Sequence, residues 1–219
     1  MRTTAALLLV PLLAGTAHAQ SARPAQAGRI QLQNVQARLL PKSMAYRGTP
    51  VVARRWTDRL GENTLILTQT GRMRAKQCPM AEGPCSDAEV YAYHYVRQGY
   101  TTTLLWRTTD FMRACEFDLY VGYIPESVAF TDLDGDGVAE SSFMYLLACR
   151  SDVSPATLKL IMHEGAQKYA ARGTSRPAIA SEGGAMQLDP AFAQAPRSFA
   201  AFVREQWARF RGHDHFQQF

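Results

Sequence analysis

From about residue 30 to 172, apolar and polar positions alternate in short runs closed by turn formers, the period-two pattern of β-strands. Residues 64–70 form one such run. Residues 88–96 form another, with Ala88, Val90, Ala92, His94 and Val96 on one face and Tyr91, Tyr93 and Tyr95 on the other. Gln98-Gly99 supplies a turn, and 101–108 returns as a β-branched and aromatic run. Strands are expected at 115–123 and 142–149, on either side of a short one at 128–131, and a last hairpin joins 158–163 to 168–172 through Glu164-Gly165. After Gly173 the alternation stops, and 174–197 reads as a linker containing Asp189-Pro190, a helix cap followed by proline. The period then changes. Phe199, Phe202, Val203, Trp207 and Phe210 fall at helical spacing, and Gly212 is a stop, so 198–212 reads as an amphipathic helix with a polar tail at 213–219. The expected fold is mainly β: an antiparallel sheet, sandwich or meander, spanning 30–173, with the C-terminal α-helix packed on it. The tyrosine row is expected to meet that helix.

The front of the chain follows another rule. Arg2 gives a positive start, residues 5–14 are apolar, and Ala17-His18-Ala19 has the small-x-small form of a cleavage site. The apolar run is about half the ~20 residues a spanning helix needs. Residues 1–19 are therefore expected to be a secretory signal, 20–29 a flexible leader, and the protein periplasmic or secreted. No later run is apolar enough for a transmembrane segment.

Apolar residues make up 47% of the chain, enough for a true core. The formal charge is +5, and setting Arg2 aside leaves 23 basic against 19 acidic residues. This mild excess is dispersed and does not suggest a nucleic-acid partner, although it permits contact with anionic envelope polymers. Four cysteines in an exported chain fit two disulfides, for which three pairings exist. Cys78–Cys85 and Cys115–Cys149 are favoured, the first closing a turn-rich loop and the second tying strand ends. The spacings are not those of a zinc knuckle.

The most informative stretch is Asp132-Leu133-Asp134-Gly135-Asp136-Gly137-Val138-Ala139-Glu140. Calcium takes 6–8 oxygens at about 2.3–2.6 Å, and carboxylates at positions one, three and five of a tight loop can converge on it. The expected ligands are Asp132, Asp134, Asp136, the Val138 carbonyl and Glu140. Three adjacent carboxylates repel one another without a cation. The twelfth position is Phe143, so the bidentate glutamate of an EF-hand is missing. With strand-like flanks, the loop resembles the calcium loops of FG-GAP or VCBS-type β-repeats, here present once.

Trp106, Asp110, Cys115, residues 130–137, Cys149, 152–155, 159–162 and 168–173 together resemble a family of exported bacterial proteins. The stretch covers about a third of the chain. Some members of that family are labelled surface polysaccharide biosynthesis proteins. The resemblance implies a shared fold and supports pairing Cys115 with Cys149; it assigns no catalytic residue.

Other candidates are weaker. His163-Glu164 begins like H-E-x-x-H, but residue 167 is Gln. Asp152-Val153-Ser154-Pro155 is turn chemistry. His213 and His215 sit in the polar tail, and His94 reads as a hydrogen-bonded core residue. No serine-hydrolase elbow, P-loop or dinucleotide fingerprint occurs. The expected role is that of a calcium-stabilised, non-catalytic envelope protein whose partner is an envelope polysaccharide or another exported protein. The alternative is an exported glycan hydrolase, whose carboxylate pair would come from Asp110, Glu116 and Asp118.

Overall fold

The computed structural model describes residues 30–79, 83–179 and 182–213. The proposed signal at 1–19, the leader at 20–29 and His215 lie outside these residues.

Among the described residues, eleven strands form two antiparallel sheets. The first holds β1 (Gln33–Asn34), β2 (Thr49–Asp58), β3 (Gly61–Gln69), β4 (Met73–Arg74), β5 (Ser86–Gln98) and β6 (Thr101–Cys115). Its order is β1-β2-β3-β5-β6, with β4 paired to the first residues of β5. The second holds β7 (Asp118–Thr131), β8 (Glu140–Arg150), β9 (Thr157–Glu164), β10 (Gln167–Thr174) and β11 (Met186–Leu188), in the order β11-β10-β9-β8-β7. The helix α1 spans Arg197–Phe210. Among the described residues no helix is long and apolar enough to cross a membrane.

The sheets pack face to face. Leu65, Leu67, Val90 and Ala92 of the first meet Val121, Phe143, Tyr145 and Ile161 of the second. The outer face of the second sheet is covered by α1, whose Phe199, Val203, Trp207 and Phe210 pack on Met144, Leu146, Leu158 and Leu160. The second sheet is thus buried on both sides. This explains why β8 is almost continuously buried and its sequence hardly alternates.

The tyrosine row departs from expectation. Tyr91, Tyr93 and Tyr95 face outward from the first sheet and are covered by Met44, Leu40 and Tyr46, with no part played by the helix. Two hydroxyls fix this cover: Tyr93 accepts the Arg47 backbone N–H, and Tyr95 donates to the Ala45 carbonyl. Residues 40–47 carry no periodic pattern, so the sequence offered the row no visible partner other than the helix.

Two other elements differ in extent. The run expected at 115–123 is divided: Cys115 ends β6, and β7 begins at Asp118 and continues through 128–131, interrupted by a register shift between Ile124 and Ala129. Pro125 cannot donate to a ladder, and Ser127 repairs the break. Its hydroxyl donates to the Ile124 carbonyl at 2.7 Å and accepts the Met144 N–H at 2.8 Å. Within 174–197 lie β11 and a 3-10 turn, Pro190–Ala193. Asp189 caps that turn by accepting the Ala191 N–H at 3.1 Å. Both disulfides, Cys78–Cys85 and Cys115–Cys149, are formed.

Candidate functional site

The acidic loop joins β7 to β8. Its turns follow from short side chains binding their own backbone: Asp134 accepts the Asp136 N–H at 3.2 Å, and Asp136 accepts the Val138 N–H at 2.7 Å. Asp132 accepts the Gly137 N–H at 3.4 Å. Gly135 and Gly137 take φ of 76° and 82°, values that glycine adopts without penalty.

Folding this way brings carboxylate oxygens of Asp132, Asp134 and Asp136 within 4.8 Å of one another. A second group within the same distance joins Asp134 to Glu140 and Glu164. The four expected carboxylates therefore fall in two groups that share Asp134, the second completed by Glu164; the Val138 carbonyl belongs to neither. Glu164 is the residue that sequence reading missed as a participant. It lies 24 positions beyond Glu140, yet the two are directly paired across β8 and β9. The only signal for it was the hairpin register that places the end of β9 beside the loop.

Glu140 is 1% exposed and already satisfied, accepting the Thr131 hydroxyl at 2.7 Å and the Leu133 N–H at 3.0 Å. It closes the neck of the loop from beneath. Burial raises its pKa above the ordinary carboxylate value, against those two hydrogen bonds. Glu164 is pushed up to about 7 by burial first, then by the charges of Asp134, Asp136 and Glu140. Such crowding is the electrostatic signature of a place that gains from a cation. The donors are hard oxygens throughout, a set that could hold a hard cation such as calcium, magnesium or manganese. Opposing this, Arg59 pairs with Asp136 at 2.7 Å and already supplies one positive charge. The Val138 N–H is committed to Asp136.

The loop is docked on the other sheet. The Arg59 N–H donates to the Gly137 carbonyl at 2.9 Å, and the Ala139 N–H donates to Asp58 at 3.1 Å. Beside this junction is a cleft of about 600 Å³, lined by Ile30, Gln33, Arg55, Asp58, Glu62 and Asp132 among others.

The remaining candidates are dispersed. His94 is 2% exposed between Trp56 and Trp106, and its Nε2 lies 2.9 Å from Asn63 Oδ1. Burial holds it neutral, with a pKa near 4. His163 stacks on Trp106 with ring centroids 3.8 Å apart, and burial lowers its pKa to about 3. It lies on strand β9, not on the helix that an H-E-x-x-H site requires. Ser154 turns back on Asp152, donating its N–H at 2.9 Å and its hydroxyl at 2.6 Å. Asp110 accepts from Lys159 and from the Tyr145 hydroxyl, at 2.9 Å for the latter. Asp110, Glu116 and Asp118 line neither the cleft above nor the basic cleft described below.

Compared with protein-family models, with curated proteins and with solved structures, the chain finds no match.

Proposed function

We propose that this is an exported β-sandwich protein of the cell envelope, stabilised by calcium at the loop of Asp132, Asp134 and Asp136, with a non-catalytic binding or structural role. The observation that carries this reading is the convergence of those three carboxylates within 4.8 Å, at the junction of the two sheets. A cation there would neutralise the crowding that raises Glu164 and would lock the β7–β8 connection against the β2–β3 hairpin. Both disulfides support an oxidising compartment. The loop's likeness to FG-GAP and VCBS-type calcium loops points the same way.

Thermal unfolding with calcium and with chelator tests the reading. At about 100 times the dissociation constant, binding adds ~2.7 kcal/mol, or roughly 5–10 °C for a domain of this size. Asp134, shared by both carboxylate groups, is the residue to remove: D134A should abolish the shift. A wild-type midpoint indifferent to calcium would overturn the proposal.

A further inference from the structure

On the opposite side of the first sheet from the core, a second cleft of about 660 Å³ lies where β4, the start of β5 and the end of β6 meet. Four cations line it, Arg47, Arg74, Lys76 and Arg113, against two carboxylates, Asp87 and Glu89. Along the chain these cations are dispersed. Arg47 and Arg113 lie 66 positions apart, and the pairing of β4, β5 and β6 gathers them.

The four are not equivalent. Arg113 is spent internally: it pairs with Glu89, which is nearly buried, and its guanidinium lies 4.3 Å from the centroid of the Phe111 ring. Arg47 lies over the Tyr91 ring at 5.5 Å. Arg74 and Lys76 are exposed and make no ion pair or side-chain hydrogen bond among the described residues. Asp87 also lines the cleft, and one of its carboxylate oxygens accepts the Ala114 N–H at 2.9 Å.

Both disulfides border the cleft. Gln77 and Pro79 flank Cys78 of one disulfide, and Ala114 precedes Cys115 of the other. Ala114 has φ of 51°, a left-handed conformation that is unfavourable for a non-glycine residue. Such strain persists only where surrounding contacts over-determine it, and it concentrates at ligand sites. Here the bond to Asp87, the adjacent disulfide and the register shift between Ser86 and Ala88 impose it.

From these features we infer that the cleft binds an acidic saccharide. Two cations without a partner among the described residues suit a carboxylate, and the Asp87 carboxylate suits a sugar hydroxyl, so a ligand that presents both groups fits the cleft. A polyphosphate or nucleic-acid strand offers a phosphate at every step and would meet two carboxylates in the same cleft. Among the described residues no aromatic side chain lines it for base stacking. The volume falls in the range of ligand clefts, roughly 300–1,000 Å³. The inference supplies a ligand class for the binding role proposed above and rests on that role, but not on calcium.

The test is calorimetric titration of the full exported chain, with calcium present, against a hexasaccharide of alternating glucuronic acid and N-acetylglucosamine. A neutral N-acetylglucosamine hexasaccharide and an inorganic polyphosphate of equal charge are the comparators. The acidic hexasaccharide should bind best, and R74A/K76A should weaken it about tenfold or more. D87N should weaken it with less change in salt dependence, because it alters a hydrogen-bond acceptor. Among the described residues the side chains of Arg74 and Lys76 make no ion pair or hydrogen bond, so R74A/K76A should melt like the wild type; K76A alone serves if it does not. Absence of acidic-hexasaccharide binding, equal binding by R74A/K76A and K76A, or tighter binding of polyphosphate would each overturn the inference. None of these outcomes bears on the calcium shift, so the two readings fail separately.

Discussion

Asp58, the last residue of β2, accepts the backbone N–H of Ala139 at 3.1 Å, so one sheet holds the neck of the other sheet's acidic loop. The same carboxylate accepts the Trp56 indole N–H, the Leu60 N–H and the Asn63 amide, each at 2.8 Å. Asn63 in turn faces His94. A single aspartate therefore joins the hairpin, the buried histidine and the loop.

Removing that carboxylate leaves four donors unpaired in half-buried surroundings. D58A should cost roughly 3–5 kcal/mol, measured by urea unfolding. D58N, which keeps the shape and one acceptor oxygen, should cost less. A loss under about 1 kcal/mol for D58A would show that the loop is held by other contacts.

Glu164 should act in opposite directions with and without metal. Its folded pKa of about 7 lies above the ordinary value of 4.5, so its contribution to stability is present below 4.5 and lost as pH rises through 7. In chelator, E164Q should therefore be more stable than wild type at pH 8 by up to about 1 kcal/mol after solvent screening, with a smaller gain at pH 5. In calcium, the same substitution should reduce the rise in melting temperature. Paired melting curves at the two pH values read both effects, and an identical response of E164Q and wild type would remove Glu164 from the site.

His94 sets an acid limb of the stability curve. Burial depresses its pKa from 6.5 to about 4, so the unfolded chain binds the proton first, and stability falls as pH drops from 6.5 toward 4. The slope contributed is at most ~1.4 kcal/mol per pH unit. H94F should flatten the limb by that amount. It should also cost about 1–3 kcal/mol at pH 7, because Asn63 Oδ1 loses its partner. An unchanged slope in H94F would show that the acid limb has another source.

The two disulfides should contribute unequally. Cys115–Cys149 spans 34 positions and Cys78–Cys85 spans 7, which in the chain-entropy model gives about 4 and about 2.5 kcal/mol. Denaturant midpoints of C115A/C149A and C78A/C85A should keep that order. The reverse order would mean that the short loop carries contacts beyond closure.

Much of the fold could be read from local pattern, because strand and helix periods depend on neighbours in the chain. The alternation at 88–96 marks β5, and the helical spacing from Phe199 to Phe210 marks α1. The acidic loop was equally legible, since Asp132, Asp134 and Asp136 lie within five residues. Short pieces were not. β1 and β4 have two residues each and β11 has three, and such strands exist only because a neighbouring strand offers its edge.

Chain-local chemistry, then, settled the strand and helix types and the carboxylate ladder of the loop. Assembly of the two sheets settled which distant groups share a space. Tyr91 to Tyr95 meet residues 40–46 in place of the helix, Glu164 arrives beside Asp134, Asp58 reaches Ala139, and Arg47 joins Arg113. The reason is physical: turn and period preferences act over a few residues, whereas sheet register places side chains many tens of residues apart within a few ångström, and nothing along the chain records which faces will meet.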